Sequence, residues 1–335
     1  MTTPRVSVAI AAYNHAPFVR ECIDSVRAQT FTDWEIVVTD DGSTDGTAEI
    51  LRELADTDPR LRFHGFATNQ GACVAMNDAI ARARGEFIAI LNSDDRFLPG
   101  KLARQVDFLD QHPEYAAVFA LPRFIDERGE PFCDESHKDY RIFQVDNRPR
   151  TEWSRHFFTY GNCLCHPSVL IRRACYEDLG LYDPRLAQLP DFDMWVRLSM
   201  RYTLHILHEP LVEFRLLDHG RNASAARPEV IAREPWERLH VLRHYKDLDP
   251  AHLEQIFPRA SLMPAGPADA PSWVRLAEAA LAVDSPAHRL LALELFHEGL
   301  GSSPAGQCGV PSYVEYHRLC ADCDIFRQGA IPASN

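Results

Sequence analysis

The chain has 335 residues, of which 46% are hydrophobic, 10% aromatic and 25% charged. This composition is typical of a folded protein of one or two domains, and it excludes a disordered, collagen-like or coiled-coil chain. The 35 Lys and Arg residues are outnumbered by 48 Asp and Glu residues, which gives a formal net charge of −13 at pH 7. Because an acidic protein has no general electrostatic attraction for nucleic acid, we expect no nucleic-acid partner.

Two features of the sequence bear on its location in the cell. No apolar run reaches the ~20 residues of a membrane span, and the apolar stretch from Val6 leads into Asn14 and His15 instead of a signal-peptide cleavage site. Nine cysteines, an odd number at irregular spacings, are typical of a reducing compartment. We therefore expect a cytoplasmic protein without a transmembrane segment, while peripheral contact with a membrane surface stays open.

Short apolar runs alternate with helical patterns over the first hundred residues. The runs begin at Val6, Trp34, Leu61 and Glu86, and three of the four are nearly continuous β-formers, as expected of strands covered on both faces. This alternation predicts right-handed βαβ units around a parallel sheet. The helical stripes between the runs comprise Phe18, Val19, Cys22, Ile23 and Val26, then Ala48, Leu51, Leu54 and Ala55, and then Ala75, Met76, Ala79, Ile80 and Ala83.

The rest of the chain is less regular. A helix is predicted over 99–111 and a strand over 116–121, and a polar stretch with little periodicity follows from 126 to about 158. We therefore predict an α/β fold, with a Rossmann-like, mostly parallel sheet flanked by helices over 1–235 and a helical region over 236–335. The remaining predicted elements are strands at 168–171, 203–207 and 211–216, and helices at 193–200, 236–245, 251–257, 272–283 and 286–297.

Polar segments follow three of the predicted strands, at 11–14, 40–43 and 92–95. In an open parallel sheet the carboxyl ends of the strands meet at one edge, where ligands bind. The four aspartates of the last two segments would repel one another there unless a cation lay between them, and carboxylate oxygens suit Mg²⁺ or Mn²⁺. A divalent ion that carries a nucleotide diphosphate is one interpretation; the other is that each Asp pair only caps a helix or closes a turn.

The turn after the first strand excludes two common nucleotide-binding classes. Residues 11–16 contain no glycine, so the turn has neither the dinucleotide-binding fingerprint of a nicotinamide dehydrogenase nor the P-loop of a Walker-type NTPase.

Several segments between Val6 and about Gly220 together resemble family 2 glycosyltransferases with the GT-A fold. They read VSVAIAAYNH, QTFTDWEIVVTDDGSTDGT, NQGACVAMNDAIARARGEFIAILNSDD, HPSVLIRR, GLYDPRL and DFDMWVRLS, and they stand in the order and spacing of that family. The resemblance implies an inverting transferase that moves a sugar from a nucleotide-diphosphate sugar, a UDP-sugar, to a hydroxyl of a glycan, lipid-linked or protein acceptor in polysaccharide or glycoconjugate biosynthesis. Residues 1–235 would form the GT-A nucleotide-sugar-binding and catalytic domain.

The resemblance also implies roles for individual residues. The residue that usually precedes the catalytic base is acidic, and Pro190 stands there instead; we interpret Asp193, two residues after the base, as a helix N-cap. The implied roles are nucleotide-sugar binding by Ala11, Tyr13, Asp40, Asp41, Asn69 and Asp94, binding of Mn²⁺ or Mg²⁺ by Asp95 and His219, and general-base catalysis by Asp191.

Two other functions stay open on the sequence alone. A sugar-phosphate nucleotidyltransferase shares the strand–helix layout but should carry a glycine-rich basic loop after the first strand, where residues 11–16 have none. A non-catalytic nucleotide-sugar-binding module is favoured by Pro190. Tight donor binding without turnover would identify the second of these.

Overall fold

The computed structural model describes residues 3–132, 139–217, 222, 227–258, 270–302, 304–306 and 308–323. The chain divides into two compact units. The first unit comprises Met1–Arg150 and Asn162–Ala226, and the second comprises Thr151–Gly161 and Arg227–Asn335. The sequence predicts a single boundary at residue 235. In the structure the second unit begins at Arg227 and also includes Thr151–Gly161, a segment from the middle of the chain that packs with the C-terminal helices.

The strands of the first unit are β1 (Val6–Ala12), β2 (Trp34–Asp40), β3 (Leu61–Gly65), β4 (Phe87–Asn92), β5 (Arg96–Phe97), β6 (Tyr115–Ile125), β7 (Leu170–Arg172) and β8 (Thr203–Arg215). They form one eight-stranded sheet in the order β3-β2-β1-β4-β7-β6-β8-β5. Strands β5 and β7 run antiparallel to their neighbours, and all other pairs are parallel. The predicted α/β fold with a mostly parallel sheet is confirmed.

The helices are α1 (Val19–Arg27), α2 (Thr47–Thr57), α3 (Ala72–Arg82), α4 (Lys101–Gln111), α5 (Asp139–Ile142), α6 (Arg150–Tyr160), α7 (Arg173–Leu179), α8 (Pro190–Arg201), α9 (Pro228–Leu242), α10 (Pro250–Ile256), α11 (Ser272–Leu281), α12 (Pro286–Leu300) and α13 (Tyr313–Asp322). The apolar stripe predicted for the first of them is buried against the sheet, since Val19, Cys22, Ile23 and Val26 are all fully covered. No helix in the described part of the chain is long and apolar enough to cross a membrane.

Strand β8 is one element where the sequence predicts two. Its pairing with β6 resumes after residues 208 and 209, because the register shifts between Ala120, which faces Leu207, and Leu121, which faces Pro210. The polar sequence His-Glu-Pro at 208–210 therefore forms a β-bulge and not a turn. The bulge leaves the strand long enough to carry Arg215 to the carboxyl edge of β4.

Helix α6 lies in the stretch that the sequence leaves without periodicity. Its residues from 151 onward belong to the second unit. The Phe158 ring packs on the rings of Tyr245, Phe257 and His288 at centroid distances of 4.9, 4.7 and 5.0 Å. The Tyr245 hydroxyl donates to the Ser154 carbonyl at 2.6 Å. This helix is therefore part of the core of the helical unit.

Candidate active site

The register of the sheet places the ends of β1, β2 and β4 side by side. Ala11 of β1 lies opposite Thr39 of β2 on one side and opposite Asn92 of β4 on the other. Ala11 therefore lies between the two acidic segments. Tyr13, two residues later, has an exposed side chain at 44%. The structure thus brings the predicted base-pocket residues to the same edge as the acidic segments.

Asp40 closes the turn that follows β2. One carboxylate oxygen accepts the Ser43 backbone N–H at 2.9 Å, and the other accepts the Ser43 hydroxyl at 2.5 Å. The Ser43 hydroxyl in turn accepts the backbone N–H of Asn14 at 2.9 Å. Asp40 is buried, so its carboxylate holds the turn after β2 against the turn after β1.

Asp41 holds the loop that precedes α3. Its two carboxylate oxygens accept the backbone N–H groups of Gln70 at 2.7 Å and Gly71 at 3.0 Å. Only 2% of Asp41 is exposed. The same loop lies against Gly42, because a Cβ built there would come within 2.7 Å of the Asn69 backbone nitrogen. Asn69 itself is exposed beside this contact.

The turn after β4 contains a pair of carboxylates. Asp95 is 2% exposed; one of its oxygens accepts the Arg215 backbone N–H at 2.8 Å, and the other accepts the Asn92 side-chain amide at 2.8 Å. Burial raises the pKa of Asp95 well above its ordinary value, and the neighbouring Asp94 charge adds to the rise. Burial also raises the pKa of the half-buried Asp94, while the interaction with His15 opposes that rise.

Arg215 at the end of β8 supports this turn. Only 1% of the residue is exposed, and its guanidinium donates to the Asp94 carbonyl at 2.7 Å and to Glu21 at 2.9 Å. It also donates to the carbonyls of Asp126 and Glu127 at 3.1 and 3.0 Å. The sequence does not mark Arg215 as a site residue, because no local pattern distinguishes an arginine that acts more than a hundred residues away.

The predicted base, Asp191, is the second residue of α8. One of its carboxylate oxygens accepts the side-chain amide of Asn162 at 2.8 Å. Burial raises the pKa of Asp191, and the interactions with His166 and Asn162 oppose the rise. Pro190 occupies the first position of the helix, where proline needs no backbone hydrogen-bond partner and its φ suits the helix.

The interpretation of Asp193 as an N-cap is wrong. The N-cap residue of α8 is Leu189, which makes no side-chain cap, and Asp193 lies inside the first turn. Its carboxylate accepts the Arg197 guanidinium at 2.8 Å. That guanidinium also donates to the carbonyls of Leu179 and Leu181 at 2.8 and 2.9 Å. Asp193 therefore fixes the helix to the segment that follows α7.

Asp95 and Asp191 share a neighbour, the buried thiol of Cys165. Burial raises the pKa of this thiol well above its ordinary value, and the charges of Asp95 and Asp191 both add to the rise. Both carboxylates therefore lie within electrostatic reach of the same side chain.

The remaining predicted ligand, His219, lies outside the described residues. Within the described ranges, no three His, Cys, Asp or Glu side chains are grouped so that they could hold a metal ion by themselves. Among the described residues, a metal ion at this edge would have Asp94 and Asp95 as its carboxylate ligands.

The family model for glycosyl transferase family 2 matches residues 7–173 of the chain. The match contains the ends of β1, β2 and β4 with Asp40, Asp41, Asp94 and Asp95, and it ends before Asp191. The chain belongs to this family. It is accordingly a glycosyltransferase, as the sequence resemblance implies, and a sugar-phosphate nucleotidyltransferase is no longer an alternative.

Comparison with individual proteins also supports the assignment of this chain to glycosyltransferase family 2. An uncharacterized glycosyltransferase of Methanocaldococcus jannaschii is 29% identical over 219 residues, which are 64% of this chain and 72% of that protein. The crystal structure of S. aureus TarS 1–349 in complex with UDP-GlcNAc has a TM-score of 0.62 at 20% identity and covers 96% of this chain and 89% of its own. The mannosyltransferase PcManGT from Pyrobaculum calidifontis, in complex with GDP-Man and Mn²⁺, has a TM-score of 0.53 at 19% identity over 96% of this chain and 80% of its own. These likenesses confirm the GT-A fold.

Proposed function

We propose that this family 2 glycosyltransferase inverts the anomeric centre of a nucleotide-diphosphate sugar, a UDP-sugar, as it transfers the sugar to a hydroxyl acceptor. Asp191 is the general base. The observation that carries the proposal is the position of this carboxylate: it lies at the start of α8, is hydrogen-bonded by Asn162 and shares the surroundings of Cys165 with Asp95.

The nucleotide would bind at the ends of β1 and β2. The exposed ring of Tyr13 offers a face on which a base can stack. Ala11 would line the same pocket, Asp40 and Asp41 would accept hydrogen bonds from the base, and the exposed Asn69 would contact the nucleotide sugar. The preference for UDP is supported by TarS, which was crystallised with UDP-GlcNAc.

The turn after β4 fits Mn²⁺ or Mg²⁺. Such ions are commonly held by one or two carboxylates together with substrate phosphates, so a third protein ligand is not required. Asp94 and Asp95 are two adjacent carboxylates in a buried site that raises the pKa of each, and a cation would relieve their repulsion. Asp95 would hold the metal, with His219 as a further ligand, and Asp94 would contact the sugar. When bound, the ion neutralises charge on the departing diphosphate.

The chemistry that remains for the protein is the removal of one proton. The acceptor oxygen attacks the anomeric carbon on the face opposite the diphosphate, and its proton passes to the Asp191 carboxylate. The bond between the anomeric carbon and the diphosphate oxygen breaks, and its electron pair leaves with the nucleoside diphosphate. A single displacement of this kind inverts the anomeric centre.

The decisive experiment compares Asp191→Asn with Asp193→Asn. A thermal-shift panel of nucleotide sugars with and without Mn²⁺ first identifies the donor, and single-turnover transfer is then measured with that donor. Asp191→Asn should bind the donor normally and lose about 10²–10⁴ in transfer rate, as is typical of a missing general base. Asp193→Asn should keep the rate and lose stability, because its partner Arg197 is a structural contact. An active Asp191→Asn beside an inactive, folded Asp193→Asn would assign the base to Asp193.

A further inference from the structure

The base of this enzyme lacks the acidic neighbour that usually precedes it, and another residue holds it instead. Asn162 stands directly before the buried residues Cys163 and Leu164, and its side-chain nitrogen lies 2.8 Å from one carboxylate oxygen of Asp191. The two residues are 29 positions apart in the chain. They meet because the segment before β7 lies against the start of α8.

The orientation of the Asn162 amide follows from its second hydrogen bond. The side-chain oxygen of Asn162 accepts the backbone N–H of Leu164 at 3.0 Å. A backbone N–H can only donate, so the amide oxygen must face Leu164 and the NH₂ group must face Asp191. Asn162 therefore presents a donor to Asp191, and a donor stabilises the ionised form of a carboxylate.

We propose that Asn162 is the positioning residue of the general base: it holds one carboxylate oxygen of Asp191 and directs the other toward the acceptor hydroxyl. The inference rests on the proposed role of Asp191. It also makes an acidic residue at position 190 unnecessary, because the neighbour that orients the base comes from the segment before β7 and not from the preceding residue.

Three other titratable side chains lie within electrostatic reach of Asp191. They are His166, Cys165 and Tyr182. The His166 ring nitrogen is 3.0 Å from the Tyr182 hydroxyl, which lies 3.1 Å from the Tyr176 hydroxyl. Asn162 is the side chain that donates a hydrogen bond to the carboxylate of the base, and the backbone of Phe192 donates another.

The test uses Asn162→Ala in the full-length protein. Its transfer rate should fall roughly 10- to 100-fold, the effect of a lost hydrogen bond to a charged group, with donor affinity unchanged. The low-pH midpoint of the rate profile should move to higher pH, because the ionised base has lost a donor and its pKa rises. A purely structural role for Asn162 would leave that midpoint in place.

A double-mutant cycle separates positioning from other effects. In the Asp191→Asn background, Asn162→Ala should cost little further rate, since Asn162 acts through the carboxylate that is already gone. Equal losses in both backgrounds, or an unmoved pH midpoint, would overturn the inference. If Asn162→Ala does not fold, Asn162→Ser carries the same test with a shorter side chain.

The outcomes also distinguish this inference from the proposed function. If Asp191→Asn transfers at the normal rate, the assignment of the base fails, and the inference fails with it. If Asp191→Asn is inactive while Asn162→Ala has the pH profile of the unaltered protein, the base stands and the positioning role of Asn162 is refuted.

Discussion

At the scale of single residues, Asp41 fixes a loop through a carboxylate that we also propose to bind the nucleotide. Both of its oxygens accept backbone N–H groups of the loop before α3. A carboxylate oxygen has two lone pairs, so each can still accept a second hydrogen bond. The nucleotide base of the sugar donor would therefore bind to a carboxylate whose position is already fixed by the protein.

Asp41→Ala should lower both donor affinity and stability. The nucleotide base loses a charged hydrogen-bond acceptor, which should weaken binding by about 1.5–3 kcal/mol. Two backbone N–H groups lose their partner, which should lower the free energy of unfolding by ~1–3 kcal/mol. Isothermal titration with the donor and thermal unfolding measure the two effects separately. Gln70→Ala is the control, because it removes an exposed side chain of the same loop and keeps the backbone N–H that Asp41 accepts. Lower stability with unchanged affinity would mean that Asp41 only shapes the loop.

The carboxylate pair after β4 predicts a metal-dependent reaction. EDTA should abolish transfer, and Mn²⁺ or Mg²⁺ should restore it, because Asp94 and Asp95 would otherwise face the diphosphate as two negative charges. In the same assay, Asp95→Asn should raise the Mn²⁺ concentration needed for half-maximal rate. Full transfer in the presence of chelator would refute the metal role of Asp95.

At the scale of secondary-structure elements, Arg215 links four parts of the first unit. It connects the end of β8 to the turn after β4, to α1 through Glu21 and to the turn after β6. The β-bulge at 208–210 makes this possible, since it keeps β8 continuous up to Arg215. The acidic turn is therefore supported from β8, which lies three places from β4 in the sheet and pairs with β5 directly after the turn.

Arg215→Met should destabilise the fold by about 1–3 kcal/mol, because the carbonyls of Asp94, Asp126 and Glu127 lose their donor. The matched control is Arg123→Met on the adjacent strand β6. Its side chain is 52% exposed and is paired with Glu213, so its loss should cost about 1 kcal/mol or less. Denaturant titration gives both values. Equal effects in the two variants would show that Arg215 does not support the site.

Some residues of the candidate site can be predicted from the sequence and others cannot. The acidic residues at the ends of β2 and β4 could be placed on one edge, because strand–helix alternation determines which strand ends meet. Asn162 and Arg215 could not be found, since they act 29 and 121 positions away from their partners and no local periodicity marks them. Helix α6 escapes prediction because its buried stripe of Trp153, Ser154, Phe157 and Phe158 is short and lies within a polar stretch.

At the scale of the whole molecule, the second unit is made from two separate parts of the chain. Truncation after residue 226 removes α9–α13 but leaves α6, whose Trp153, Phe157 and Phe158 are buried in the complete protein. We expect the truncated chain to aggregate, because these side chains then form an exposed apolar patch. Replacing residues 151–161 as well with a flexible linker of equal length should restore solubility and donor binding. Donor binding lost from a folded, soluble variant of this kind would contradict the assignment of the nucleotide site to the first unit.

The discontinuous helical unit also has a consequence for synthesis on the ribosome. Helix α6 leaves the exit tunnel long before α9 and α12, and at about 5–20 residues per second the delay is on the order of seconds. During that time its aromatic face has none of its C-terminal partners, while every strand from β1 to β6 is already available for pairing. Translation speed and chaperone capture between α6 and α9 should therefore control the yield of native protein more strongly than the same changes made before α6.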